Sequence, residues 1–267
     1  MTNGKIRVGI GGWTYEPWRG TFYPPKWPQA REIDYATSKM TAIEVNGTYY
    51  GSQKPATFAA WAKAAPDGLL FALKASRFCT NRKILAEGGP SIEKFLTQGI
   101  VELGDRLGPI LWQFMPTKKF DAGDFGAFLQ LLPAKQDGLA LRHVVDVRHE
   151  SFRDPAFVAL ARKAGVSIVH TDSPDHPAIG DASGPVSYAR LMDAREEEPL
   201  GYTSAAIDRW VDIARDWAAG GTPDAFPLAA PDAVPPAKPR DVFVFYINGA
   251  KVRAPHAAMA MIERLGA

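Results

Sequence analysis

Short apolar runs recur eight times along the chain, at 6–10, 42–46, 69–74, 110–114, 143–148, 167–171, 186–191 and 242–247. Each is rich in Val, Ile, Leu, Phe or Tyr, which predicts strands. Amphipathic stretches at 55–64, 91–103, 125–132, 155–163, 203–218 and 255–265 predict helices between them. Pro55 suits a first helical position, Ser91, Asp154 and Thr203 suit N-caps, and Gly104, Gly165, Gly220 and Gly266 suit helix stops. Strands alternating with helices predict a parallel sheet, and eight such units predict its closure. The expected architecture is α/β, a (β/α)8 barrel of the TIM type, read as one domain over residues 1–267. After the sixth run, 173–185 reads as a loop. The stretch 220–240 holds six prolines and reads as a long exposed excursion.

Side chains alternate along a strand, so each strand sends one parity into the barrel and the other toward the helices. Ile43 and Val45 take the helix-facing side, which turns Glu44 and Asn46 inward. Val145 and Val147 likewise leave Asp146 and Arg148 inside, and Leu69, Phe71 and Leu73 leave Lys74 inside. The same count turns Gln113, His170, Arg190, Tyr246 and Asn248 inward, with Asp172 sharing the parity of His170. These polar positions fall at the ends of their strands, where barrels of this kind carry active sites. Buried charges are unfavourable unless paired. The ring therefore reads either as a ligand site or as a sealed plug, with Glu44 neutralising Arg190 or Lys74 and Asp146 paired with Arg148.

Charge and composition narrow the partners. With 31 basic and 29 acidic side chains the net charge is +2, so binding to nucleic acid has to rest on a local patch. A single cysteine, Cys79, excludes an internal disulfide framework and a thiolate zinc site, and it reads as a small buried or loop residue. The five histidines are scattered, and only His170 with Asp172 is placed like a ligand pair, so neither a metal nor a cofactor is expected. No run approaches the roughly 20 apolar residues of a membrane span, and the first residues lack the pattern of a secretory leader. The expectation is a cytoplasmic protein without a membrane partner.

Aromatic residues crowd the first loop: Trp13, Tyr15, Trp18, Phe22, Tyr23 and Trp27, among Pro24, Pro25 and Pro28. Tyr49 and Tyr50 follow the second strand. They form either a rim that stacks a sugar or base, or a proline-stiffened loop packed over the barrel end. Trp13 and Tyr15, immediately after the first strand, are the best rim candidates.

The segments Gly11-Gly12-Trp13-Thr14-Tyr15, Glu44-Val45-Asn46-Gly47-Thr48-Tyr49-Tyr50, Leu107-Gly108-Pro109-Ile110-Leu111-Trp112-Gln113-Phe114 and Asp146-Val147-Arg148-His149-Glu150-Ser151-Phe152 together resemble the YecE-like family, a domain of unknown function (number 72). The likeness runs in order from about Ile6 to Leu265. It implies a barrel of the triosephosphate-isomerase type and carries no established activity. Its pattern of Glu and Asn on strand two, Lys after strand three, Gln on strand four, and an acid with Arg on strand five is matched by Glu44, Asn46, Lys74, Gln113, Asp146 and Arg148. The chain departs from it at Asn81, at Met192-Asp193 and at Gly249, where the family usually has His, His-Gly and Asn.

These residues support a metal-independent acid/base enzyme, hydrolase- or lyase-like, acting on a small anionic or sugar-like substrate at the C-terminal mouth of the barrel. Lys74, Arg148 and Arg190 would hold a phosphate or carboxylate. Glu44 or Asp146 would act as general acid or base, with Lys74 a third catalytic candidate, in one variant through a Schiff base. Asn46, Gln113 and Asn248 would orient hydroxyls, and Trp13, Tyr15, Tyr49 and Tyr246 would complete the binding wall. The alternatives are a nucleic-acid or abasic-site binder and a non-catalytic ligand sensor.

Overall fold

The structure is a computed structural model that describes residues 2–266. Eight parallel strands close into a barrel: β1 (Ile6–Gly11), β2 (Ala42–Val45), β3 (Leu70–Lys74), β4 (Leu107–Gln113), β5 (His143–Asp146), β6 (Ser167–Asp172), β7 (Val186–Leu191) and β8 (Asp241–Tyr246). Each strand pairs with its neighbours in sequence, and β1 closes the ring against β8 with Ile6 opposite Val242. A two-stranded ribbon, Lys135–Gln136 with Leu139–Ala140, precedes β5. Among the described residues no helix is long and apolar enough to cross a membrane.

Two apolar layers follow from the alternation. Ala42, Leu70, Ala72, Leu111, Val144, Val169, Val186, Tyr188, Phe243 and Phe245 fill the barrel interior. Ile43, Val45, Phe71, Leu73, Trp112 and Val145 face outward into the layer shared with the helices. In β6 and β8 the inward parity is Val169 and Thr171, and Phe243 and Phe245, opposite to that expected from His170 and Tyr246. His170 instead stacks on Trp217 at 4.5 Å between ring centres, outside the barrel, and Tyr246 packs edge-on against Tyr202 with its hydroxyl 3.5 Å from Met261 Sδ.

Helices Pro55–Ala64, Ala122–Gln130, Pro155–Ala164, Ser204–Ala219 and Ala254–Leu265 lie within a few residues of their expected limits. Asp154 and Thr203 cap with side-chain acceptors, and Gly165, Gly220 and Gly266 end their helices in the left-handed region. The expected helix at 91–103 is broken. An α-helix covers Gly89–Leu96, Gly99 turns left-handed, and a 3₁₀ segment, Ile100–Arg106, follows with Gly104 as its kink. Ser91 is therefore inside a helix rather than at its cap, where its hydroxyl accepts from Arg82. Helix Glu32–Lys39, unexpected from the pattern, lies under the first loop. Trp18, Phe22 and Tyr23 of that loop are buried, so the proline-stiffened packing accounts for most of its rings.

The proline-rich 220–240 stretch is mostly exposed over 231–238, as expected of an excursion, but is anchored over 226–230. Asp181 accepts from the backbone N–H groups of Ala229 and Ala230, Gly180 donates to the Pro227 carbonyl, and Phe226 stacks on Trp217. The segment thus seals His170 from solvent. His170 Nδ1 lies 2.9 Å from the Ile179 carbonyl and must carry the proton there. Burial, only partly opposed by that hydrogen bond, pushes His170 down to about 4 from the ordinary 6.5. The unfolded chain binds a proton at about 6.5 and the folded chain only at about 4, so stability falls as pH drops through this window. Acidification from pH 6.5 to pH 4 should remove about 3 kcal/mol that His170→Gln does not lose. Urea unfolding at both pH values, with equal losses in the two proteins, would contradict this.

Candidate functional site

The strand-end charges converge at one mouth of the barrel. Arg190, near the end of β7, is 2% exposed and lies between two fully buried carboxylates. Its Nε and Nη2 fork onto Glu44 Oε2 and Oε1 at 3.0 Å each, and Nη1 reaches Asp146 Oδ2 at 2.7 Å. The Tyr188 hydroxyl, one turn of the pleat deeper, donates to Glu44 Oε2 at 2.8 Å. Bidentate, hydrogen-bonded pairing of this kind is what makes buried ions tolerable. The Arg190 guanidinium is held above its ordinary range: burial disfavours the charge, and Glu44 and Asp146 more than offset it.

Arg148, just past β5, completes the ring. Its Nη2 donates to Gln113 Oε1 at 2.9 Å and to Asp146 Oδ2 at 3.1 Å. Gln113 Oε1 also accepts from Arg190, so the amide bridges the two guanidiniums. Burial pushes the Asp146 carboxyl up, but Arg148 and Arg190 hold it below the usual carboxylate range. Formally, two carboxylates and two guanidiniums cancel.

Lys74 stands apart from that balance. It ends β3 and is 7% exposed. Thr48 Oγ1 donates to its backbone carbonyl at 2.7 Å, and its ammonium lies 4.1 Å from the centre of the Tyr49 ring. Among the described residues Nζ has no ion-pair or hydrogen-bond partner. Burial first and neighbouring Arg190 second lower it to about 8, against the pull of Glu44 and Asp146.

In front of this ring opens a cleft of about 490 Å³. Lys74, Arg148, Arg190, Gln113, Asn46, Asn248 and Tyr49 are among the residues that line it. Two glycines admit it. A side chain at Gly11 would crowd Asn46 Nδ2 at 3.0 Å. Gly249, at φ 77°, lies so close to the Ala194 backbone that a Cβ would stand 2.4 Å from its carbonyl oxygen. That turn reverses the chain after β8 and brings Asn248 over the mouth.

Of the residues expected here, Glu44, Lys74, Gln113, Asp146, Arg148 and Arg190 come together, with Asn46, Tyr49 and Asn248 around them. Trp13 and Tyr246 do not. Trp13 packs edge-on against Trp61 at 5.3 Å, on the helix side of β1. Tyr15 acts at one remove: Lys251 Nζ sits 4.7 Å over its ring. Lys251 and His176 both line the cleft and were not expected there. His176 lies in a loop and Lys251 opens a short 3₁₀ turn, Lys251–Arg253, and neither has a periodicity that reports side-chain direction; proximity to the Asn248-Gly249 turn is the one signal that points to Lys251. The Trp18 indole donates to the Lys251 carbonyl, and burial lowers Lys251, partly offset by Glu44.

A second cleft, of about 430 Å³, lies outside the barrel beside Asp172, Asp193, Tyr202 and Trp210, away from the strand-end ring. Burial and Asp193 raise the Asp172 carboxyl there. Among the described residues no three His, Cys, Asp or Glu side chains are grouped as a metal-binding set. Cys79 is buried, and burial pushes its thiol up to about 12.

A family model for a protein family of unknown function, DUF72, matches residues 7–267. The chain is similar in structure to a DUF72 protein from Thermotoga maritima, at 20% identity and TM-score 0.75, covering 98% of this chain and 100% of that one. A DUF72 protein from Enterococcus faecalis is similar at 16% identity and TM-score 0.69, each chain covered in full. A xylose isomerase-like TIM barrel/4-hydroxyphenylpyruvate dioxygenase fusion protein aligns at 13% identity and TM-score 0.52, covering 98% of this chain and 43% of that one. No curated protein matches the chain. With the family model spanning residues 7–267, the chain belongs to the DUF72 family.

Proposed function

We propose that the mouth binds a small anionic, sugar-like substrate and performs acid/base chemistry on it through Lys74. The observation that carries this reading is the division of charge. Glu44 and Asp146 are both engaged by Arg190, which leaves Lys74 without a counter-charge beside an open cleft. Arg148 uses Nη2 alone, so its Nε and Nη1 have no partner among the described residues. Lys251 adds a further cation to the cleft beside Lys74, Arg148 and the carboxylate-bound Arg190. Amines, a guanidinium edge and the Asn46 and Asn248 amides suit a phosphate or carboxylate flanked by hydroxyls.

On this account Glu44 and Asp146 serve to hold Arg190, and the proton is carried by Lys74. An amine near 8 can donate or accept a proton close to neutral pH. Calorimetric titration with inorganic phosphate and simple sugar phosphates tests the binding step. Wild type should bind, and Arg148→Met should weaken binding at least tenfold, about 1.4 kcal/mol or more. Equal affinities would remove Arg148 from the site. Absence of binding by the wild type would remove the anionic substrate altogether.

A further inference from the structure

We infer that Lys74 is a covalent nucleophile that forms a Schiff base with a small carbonyl compound bearing a carboxylate or phosphate. The inference rests on the anion-binding reading of the cleft and deepens it by naming the reactive group of the ligand. Three features of the geometry point to it. Lys74, the last residue of β3, lines the 490 Å³ cleft. The Thr48 hydrogen bond fixes its backbone carbonyl at the strand end, and the Tyr49 ring, 4.1 Å from the ammonium, is the contact that positions its side chain. Both carboxylates that could capture it as an ion pair are instead engaged by Arg190.

A lysine so placed reaches its neutral form more readily than a surface lysine. Burial and Arg190 bring it to about 8, so about a quarter of it is neutral at pH 7.5. Arg148, with a free guanidinium edge in the same cleft, supplies the anchor for the anionic group and so presents the carbonyl carbon to Nζ. In the step itself the Nζ lone pair bonds to the carbonyl carbon, and the carbonyl oxygen takes up protons and leaves as water. Overall, one ammonium and one carbonyl give one protonated imine and one water, with charge unchanged. The imine cation then draws electrons from the adjacent carbon, the usual purpose of a lysine Schiff base.

Trapping tests this on the whole chain. The protein is incubated with pyruvate or glycolaldehyde phosphate and sodium cyanoborohydride, and peptides are mapped by mass. Lys74 should carry the reduced adduct at least tenfold faster than any other lysine, and excess inorganic phosphate should slow it. Lys74→Arg should show no adduct in that peptide; if that variant does not fold, the wild-type map decides alone. Labelling spread over surface lysines with Lys74 no faster overturns the inference. Phosphate titration of the same protein separates the two claims. Phosphate binding without a Lys74 adduct overturns the Schiff base and leaves the anion site. A fast Lys74 adduct, formed equally with neutral acetone and without phosphate binding, upholds the nucleophile and overturns the anion site. Neither result overturns both.

Discussion

Replacing Arg190 by methionine is expected to lower the unfolding free energy by about 3–5 kcal/mol, the usual result of removing one partner of a buried ion pair. The side-chain volume is nearly kept, so the loss is electrostatic. Among the described residues Glu44 would retain only the hydrogen bond donated by the Tyr188 hydroxyl, and Asp146 would retain Arg148. Both carboxylates are fully buried, and water cannot reach them to compensate. Arg190→Lys keeps the charge but loses the fork on Glu44, and should fall between the two. Urea midpoints at constant m value give the comparison. A loss under about 1 kcal/mol for Arg190→Met would mean that the triad is not the closed unit described.

Lys74→Met should act in the opposite sense. The ammonium is desolvated beside two guanidiniums and lacks a carboxylate partner, so its charged form opposes folding. The folded pKa is lowered to about 8 from 10.5, which means the unfolded chain binds more protons between those values. Wild-type stability from this group therefore rises with pH from about 8 to about 10.5 and is least below 8. The variant should be more stable than wild type by about 1–3 kcal/mol at pH 7, with the difference shrinking above pH 8. A residue whose removal stabilises the fold and abolishes phosphate binding is retained for the ligand. Destabilisation by Lys74→Met at pH 7 would instead assign the lysine to the plug.

The sequence pattern located all eight strands because each run is short, rich in Val, Ile, Leu, Phe or Tyr, and separated from the next by polar or helical sequence. It also located the charged ring, since Glu44, Lys74, Gln113, Asp146 and Arg190 each sit among apolar residues of the other parity. The phase failed at His170 and Tyr246 for a physical reason. Strands of a closed parallel barrel are buried on both faces, so both parities can be apolar and a lone polar residue does not fix which one faces in. Val169 and Phe245 fill the interior, and His170 and Tyr246 find partners among Trp217, Tyr202 and Met261 in the helical layer. The division of labour among the charges was equally beyond the pattern. Spacing placed Arg190 near both carboxylates and Lys74 near the same mouth, but only the fork geometry shows that Arg190 takes both. His176 reaches the cleft from a loop and Lys251 from a single 3₁₀ turn, where no repeat reports direction.

Among the described residues Lys74 is the one buried cation that no carboxylate holds, and the ligand chemistry proposed for the cleft depends on it. Its titration can be followed directly by heteronuclear NMR of the Nζ and Cε signals, with and without inorganic phosphate. The expected result is a midpoint near 8 that moves upward when phosphate is added, because a bound anion favours the ammonium. A midpoint at the ordinary 10.5, unmoved by phosphate, would contradict it.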